Sequence, residues 1–359
     1  MKHIILFTDC LGAGGAQRQL VGLATMLKAR GYNVKVCTYF DIDFYKSYLD
    51  ENEVPNEVIP DAASGKRRFF SVYRYFKKEQ PDAIIAYQET PSMVACVAKL
   101  FGCKFKLIVS ERNTTQNIKM SDMVRFFLYR VSDAIVPNSY SQERWLKSHY
   151  PWMETKINTI TNFVDLENFY PVEHQRRDVP EILVAASIWP SKNTMGLVGA
   201  ISQLRNRGLK FHVSWYGKSD SNMDYYRKCE SFVKSEQLEE YVDLLPKTKE
   251  IHLKYREADY FCLPSFYEGT PNVLCEAIAS GLPVMVSNVC DNAIYAETDK
   301  NAVLFDPNSP TDMANSIELM LTQTNEAYQM CRNKSRKIAT EKLSKTAFLE
   351  KYLELLEQL

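Results

Sequence analysis

The sequence predicts an α/β protein of two doubly wound domains, each built on a parallel sheet with helical crossovers. Three observations lead there. The chain has 359 residues, more than one hydrophobic core usually serves, and its 45% apolar and 25% charged residues are ordinary globular composition. Short apolar runs rich in β-branched residues alternate with helix-patterned stretches throughout, the mark of strand–helix–strand units. A turn-rich interruption between residues 160 and 180, with Asn162, Asp165, Asn168, Pro171 and the charged run His174-Gln175-Arg176-Arg177-Asp178, separates two such series.

The first run, residues 3–8, has four apolar residues before Thr8 and Asp9, too few for the apolar stretch of a signal peptide, so it reads as a strand. Further strands are expected at 33–39, 83–87, 106–110 and 134–137, and in the second half at 181–186, 210–216, 242–244, 259–264, 283–287 and 302–305. Residues 312–359 are helical in pattern, with Ala347, Phe348, Tyr352, Leu353 and Leu356 as apolar positions. The expected domains are 1–165 and 166–340, followed by a C-terminal helical segment, 341–359.

No apolar run approaches the roughly 20 residues of a membrane-spanning helix, so a cytoplasmic protein is expected. Nine cysteines without a Cys-x-x-Cys spacing and five scattered histidines argue against a disulfide framework or a zinc site. Basic and acidic residues balance at 44 each, but residues 66–130 hold thirteen lysines and arginines against five acids. Lys66, Arg67, Arg68, Arg74, Lys77 and Lys78, interleaved with Phe69, Phe70, Tyr73, Tyr75 and Phe76, suit either the surface of an anionic bilayer, on the inner face of the membrane, or a solvated helix face with an aromatic inner stripe.

The most specific signal lies in residues 264–284, PSFYEGTPNVLCEAIASGLPV. A buried strand ends at Pro264, a loop follows, and a helix is expected with Thr270 as cap and Pro271 at its first position, stopped by Gly281. The amides of Thr270, Pro271's successor Asn272 and Val273, with the helix dipole, make an anion site at the carboxyl edge of a parallel sheet, suited to a diphosphate. Glu268 in the loop and Glu276 in the helix would repel a phosphate unless they address hydroxyls, as of a sugar and a ribose. That combination points to a nucleotide sugar.

The same run resembles the retaining glycosyltransferases of the GT-B fold, family 4. Their pattern E-G-x-P-x-x-x-x-E-A-x-A-x-G-x-P-V is matched at Glu268, Gly269, Pro271, Glu276, Ala277, Ala279, Gly281, Pro283 and Val284. Gly14-Gly15-Ala16-Gln17 resembles the family's glycine-rich loop, and Pro137-Asn138-Ser139 and Asn162-Phe163-Val164-Asp165 its late first-domain and linker motifs. The resemblance implies two Rossmann-like domains with a cleft between them. The first would bind the acceptor and the second the nucleotide sugar, with the C-terminal helix crossing back to the first. It implies that Glu268 contacts the donor sugar, Glu276 the ribose and Lys192, in Pro190-Ser191-Lys192-Asn193, the diphosphate, with Gly15, Gly269, Thr270, Pro271, Asn272 and Val273 lining the donor. Asp291-Asn292 with Glu297 stands where a donor-side acidic residue is expected.

The chain departs from the family in two places. Ser187 stands where an arginine usually shares the diphosphate charge, and Lys218 is a candidate replacement. A histidine common near the reacting carbon is absent; Ser110-Glu111-Arg112-Asn113 occupies its region, so Glu111 or Arg112 would face sugar or acceptor. Two rival motifs fall away: Gln17 fails the third glycine of a dinucleotide fingerprint begun by Gly12 and Gly14, and Asp41-Ile42-Asp43 reads as a solvated loop and not as a metal-holding pair. The expected activity is therefore metal-independent, retaining transfer of a sugar to a glycan or lipid-linked acceptor in surface polysaccharide or glycoconjugate synthesis. No cofactor, metal or nucleic acid is among the expected partners. A nucleotide-sugar epimerase and a non-catalytic nucleotide-sugar-binding protein are the alternatives.

Overall fold

A computed structural model describes residues 2–112, 118–218, 222–298 and 300–359. It divides into two compact units: residues up to Asn162 with Phe348–Leu359, and Phe163–Ala347.

The first unit runs β1 (His3–Phe7), α1 (Gly15–Ala29), β2 (Asn33–Thr38), α2 (Lys46–Glu51), β3 (Asn56–Val58), α3 (Arg68–Glu79), β4 (Ala83–Tyr87), α4 (Glu89–Leu100), β5 (Lys106–Glu111), α5 (Met120–Leu128), β6 (Ala134–Pro137) and α6 (Tyr140–His149). All its pairings are parallel, in the order β3-β2-β1-β4-β5-β6. Strands covered on both faces carry continuous apolar runs instead of alternation, and Ile4, Ile5, Leu6 and Phe7 are all fully buried. Phe76 of α3 packs edge-on against Phe7 at 5.4 Å and Phe105 at 5.7 Å, which joins helix layer and sheet.

The second unit runs β7 (Glu181–Ala185), α7 (Thr194–Asn206), β8 (His212–Lys218), α8 (Met223–Ser235), β9 (Val242–Pro246), α9 (Ile251–Glu257), β10 (Tyr260–Leu263), α10 (Asn272–Ala279), β11 (Val284–Ser287), α11 (Asn292–Tyr295), β12 (Ala302–Phe305), α12 (Pro310–Leu321) and α13 (Asn325–Lys342). Its parallel sheet has the order β12-β11-β10-β7-β8-β9, with separate apolar cores on its two faces. The last helix, α14 (Lys345–Gln358), lies mostly within the first unit, where the Tyr352 hydroxyl meets that of Tyr87 at 2.9 Å.

Eleven expected strands form within two residues of their expected bounds. The twelfth, β3, was not expected, because Asn-Glu-Val carries no apolar run. It is an edge strand paired to β2, and its Glu57 takes a hydrogen bond from Tyr75 at 2.6 Å while Lys35 reaches it at 3.3 Å. The Tyr75 bond holds the Glu57 carboxyl below its ordinary range. One further expectation shifts: the helix after Glu268 begins at Asn272 with Pro271 at its cap, so Thr270 precedes the cap. Residues 312–359 are helical as expected, as parts of three helices.

The basic stretch 66–78 is also redistributed. Arg68 stacks on Tyr39 at 4.1 Å and donates to the carbonyls of Ala62 and Ala63, so its charge is spent inside the first unit. Val72, Tyr75 and Phe76 form the buried stripe of α3, while Lys66, Arg67, Arg74, Lys77 and Lys78 remain exposed.

Candidate functional site

In the second sheet β7 and β10 lie side by side, although the chain extends from β7 toward β9 in one direction and from β10 toward β12 in the other. At such a reversal the loops leaving the two strands diverge and open a crevice at the carboxyl edge. The loop after β7 ends in the single turn Pro190–Lys192, and the next residue, Asn193, adopts left-handed geometry (φ 57°) as cap of α7. Its side chain accepts from the Gly196 amide at 3.2 Å and donates to the Pro307 carbonyl at 2.7 Å, which anchors the loop that presents Lys192.

The loop after β10 carries Glu268. Lys192 Nζ meets Glu268 Oε1 at 2.5 Å, Ser265 Oγ donates to the same oxygen at 2.6 Å, and the Phe266 amide donates to the Ser191 carbonyl at 2.9 Å. The two loops are thus joined across the reversal by one ion pair and one backbone bond. Beside them Gly269, Thr270 and Pro271 lead into α10, and Asn272 and Val273 are the half-buried residues of its first turn. Glu276, one turn further, is buried and accepts from the Tyr255 hydroxyl at 3.2 Å. The second unit therefore gathers Lys192, Glu268, Glu276 and residues 269–273 at one sheet edge. An ammonium, a helix start and two carboxylates, one of them neutralised by that ammonium, can together take a phosphate and hydroxyls without mutual repulsion.

Two family models match the chain: one described as Glycosyltransferase Family 4 over residues 13–168, the other as Glycosyl transferases group 1 over residues 179–323. The chain belongs to the family 4, group 1 glycosyltransferases. It is similar to an uncharacterized glycosyltransferase of Haemophilus influenzae, 23% identical, with 94% of this chain and 95% of that protein covered. It is also similar to the GalNAc-alpha-(1->4)-GalNAc-alpha-(1->3)-diNAcBac-PP-undecaprenol alpha-1,4-N-acetyl-D-galactosaminyltransferase of Campylobacter jejuni, 24% identical over 93% of this chain and 92% of that one. Among solved structures, Anabaena Alr3699/HepE in complex with UDP and glucose matches with a TM-score of 0.85 at 17% identity, both chains covered in full, which establishes the GT-B fold.

Other expected residues of this glycosyltransferase have partners outside that cluster. Lys218, at the end of β8, sets its ammonium 4.2 Å from the ring centre of Tyr226, so its charge already has a partner. Ser187 lies in the loop after β7, and next to it Ile188 donates its amide to the Gly217 carbonyl at 3.2 Å. Glu297 is held by Lys300 at 3.0 Å, Lys334 at 3.4 Å and Lys342 at 3.6 Å, and the Lys300 bond keeps its carboxyl below the ordinary range. That cluster fits a surface ion-pair role. Asp291 and Asn292 are fully buried, and Asn292 caps back onto the Ser287 carbonyl at 2.9 Å.

In the first unit, Gly15 opens α1 at the carboxyl edge of the first sheet. Glu111 is 1% exposed, receives a hydrogen bond from the Tyr129 hydroxyl and pairs with Arg125 at 3.6 Å; burial is the main cause that raises its carboxyl pKa. Arg125 in turn holds Glu89 at 2.8 Å and Asp122 at 3.1 Å, a network that positions α5 against the sheet. Arg112 differs. It stacks on Tyr87 at 4.2 Å and reaches Asn162 at 3.4 Å, while its Nε and Nη2 are buried without a partner among the described residues. Asn113 lies outside the described residues. Of the pair, Glu111 is sealed by Tyr129 and Arg125, whereas Arg112 keeps two N–H donors without a partner among the described residues.

Sequence reasoning passed over two first-unit residues, Asp9, two positions after β1, and Gln88, directly after β4. The available signal was a polar residue closing each buried apolar run. Which two runs are neighbours is a matter of strand order, and that is not written locally.

Proposed function

We propose that this glycosyltransferase moves a sugar from a nucleoside diphosphate sugar to a lipid-linked diphosphate glycan, with retention and without a metal ion. The observation that carries the reading is the Lys192–Glu268 pair across the reversal of the second sheet, beside the start of α10. In this reading the Lys192 ammonium and the first-turn amides of α10 balance the charge that grows on the departing diphosphate. Glu268 exchanges the ammonium for sugar hydroxyls, Glu276 holds the ribose, and the leaving phosphate takes the acceptor's proton. The donor is of the UDP class by similarity to the Anabaena protein, and the acceptor is a diphospholipid by similarity to the Campylobacter enzyme. The Arg112 N–H groups that have no partner among the described residues suit an acceptor phosphate.

The test is turnover of UDP-sugars with and without a short-chain glycosyl diphospholipid, in excess chelator. An α-linked product formed from an α-donor only when acceptor is present supports the reading. An inverted linkage, or activity lost to chelator and restored by manganese or magnesium, sinks it. An altered sugar released without acceptor would show an epimerase, and donor binding without turnover in either condition a sensor.

A diphospholipid acceptor lies in a membrane, and no helix among the described residues is long and apolar enough to cross one. Right-handed crossovers place α3, α4 and α5 on one face of the first sheet, where α3 packs on α4 and α4 on α5. On α5, Met120, Met123, Val124 and Phe127 are exposed at positions i, i+3, i+4 and i+7, with Phe127 at 65%, flanked by exposed Lys119 and Arg130. Phe70, Leu100 and Phe101 are exposed on α3 and at the end of α4. An apolar stripe bordered by cations suits peripheral attachment to an anionic leaflet. With Arg68 engaged internally, Lys66, Arg67 and Arg74 together contribute about 3 kcal/mol at roughly 1 kcal/mol each. Changing those three to glutamine should lower binding to anionic vesicles by about two orders of magnitude and leave binding to neutral vesicles unchanged, measured by co-sedimentation at moderate salt. Equal binding of variant and natural protein to anionic vesicles would rule out this surface.

A further inference from the structure

The first sheet has a reversal of its own. β1 and β4 are neighbours, while the chain extends from β1 to β3 on one side and from β4 to β6 on the other. In the second unit the long loops that leave the two strands at the reversal meet in the Lys192–Glu268 pair. In the first unit the residues at the reversal stand at the strand ends themselves: Asp9, after Thr8 at the end of β1, and Gln88, immediately after β4.

These two side chains meet. Asp9 Oδ1 accepts from the Cys10 amide at 2.7 Å, from Gln17 Nε2 at 3.0 Å and from Thr8 Oγ1 at 3.2 Å. With its amide nitrogen turned to Asp9, Gln88 donates to Oδ1 at 2.7 Å and to Oδ2 at 3.2 Å, and its oxygen accepts from Gln17 at 3.1 Å. Oδ1 is thereby saturated, while Oδ2 keeps lone-pair capacity. Asp9 and Gln88 are only half-buried, whereas Thr8 and Gln17 behind them are buried.

Two backbone features maintain this cluster. Gln88 sits at φ 74°, ψ 170°, a conformation essentially reserved for glycine. A glycine there would satisfy the backbone without strain, so the strained glutamine keeps its place through its side chain. At position 14 the reverse holds: a Cβ would lie 2.1 Å from Gln17 Oε1, so only glycine lets Gln17 fold back toward Asp9. The chain thus keeps strain at one position and a bare backbone at another, and both hold the same carboxylate.

We propose that Asp9, held by Gln17 and Gln88, is the subsite that accepts a hydrogen bond from a hydroxyl of the acceptor sugar. The inference rests on the reading of the first unit as the acceptor half. A half-buried carboxylate at the carboxyl edge of a sheet reversal, with one oxygen saturated and lone-pair capacity left on the other, is a fixed, acceptor-only group, suited to a pyranose hydroxyl and unsuited to a phosphate. It sets which hydroxyl is presented, whereas Arg112, at the end of the next strand, supplies the positive charge for the phosphate.

The experiment measures binding by calorimetry for the natural protein, Gln88→Gly and Asp9→Asn, with two probes: an N-acetylgalactosaminyl diphosphate carrying a short alkyl chain, and UDP. Gln88→Gly is expected to raise Tm, because strain is relieved, yet to weaken the glycosyl diphosphate at least tenfold while UDP affinity stays within twofold. Asp9→Asn should weaken the same probe at least tenfold with UDP again unchanged. A merely structural cluster would give Gln88→Gly a changed Tm and unchanged probe affinity, and that result overturns the proposal. So does a natural protein that binds UDP and not the glycosyl diphosphate. Loss of UDP binding in the natural protein speaks instead against the nucleotide-sugar reading of the second unit, so the two failures are separable.

Discussion

Replacing Lys192 by alanine is expected to lower kcat by about two to three orders of magnitude while KM for the donor rises only a few-fold. The ammonium lies 2.5 Å from Glu268 and at the reversal of the second sheet, where a diphosphate would carry more charge as the glycosidic bond breaks. Its loss also removes the ammonium that pairs with Glu268, a carboxylate 11% exposed that accepts from the Ser265 hydroxyl at 2.6 Å. A carboxylate so placed repels the departing phosphate. The double change Lys192→Ala with Glu268→Gln should therefore regain part of the diphosphate affinity lost in the single change, without regaining turnover. Steady-state kinetics on both variants, with calorimetry on UDP, measures the two effects separately. A rise in KM alone, with kcat intact, would make Lys192 a ground-state binder.

Gly217→Ala is expected to destabilise the second unit by about 3 kcal/mol or more, because its mechanism is steric overlap with backbone. A Cβ at this position would lie 1.7 Å from the Ala186 carbonyl oxygen and 3.1 Å from the Ser187 Cα. The same carbonyl accepts from the Trp215 indole at 2.6 Å, and Ile188 donates to the Gly217 carbonyl at 3.2 Å, so β8 and the loop after β7 are clamped together here. No side chain can rotate away to make room. The loop must move, and it is the loop that ends in Lys192. Thermal unfolding should show the lowered stability, and UDP binding measured below the lowered Tm should weaken as well. An unchanged Tm would show that the clamp is not needed.

Much of the second-unit site was legible in the sequence. Glu268, Gly269, Pro271 and Glu276 sit in one continuous loop and helix, so their spacing alone puts them at one sheet edge, and Pro271 and Gly281 bound the helix to within one residue. Lys192 was reached only through its resemblance to family members, since no local rule says that the loop after β7 faces the loop after β10. The first-unit site was barely legible. Glu111 and Arg112 adjoin in sequence, yet one is sealed against Tyr129 and Arg125 and the other, stacked on Tyr87, keeps donors without a partner among the described residues, a difference set by which side chains pack on each.

The sequence by itself determined eleven of the strands, because residues buried on both faces of a parallel sheet must be apolar in unbroken runs, and it located the helix after Glu268 to within a residue through proline and glycine chemistry. It left β3 unmarked, since a polar edge strand exists only by pairing with its neighbour. Only the tertiary structure decided which strand ends adjoin, and therefore that Lys192 meets Glu268 and Asp9 meets Gln88, partners 76 and, by number, 79 positions apart. The physical reason is the reversal of strand order: it brings together the ends of the first and fourth strands of each sheet, and long-range pairing of that kind leaves no local imprint on the residues it joins.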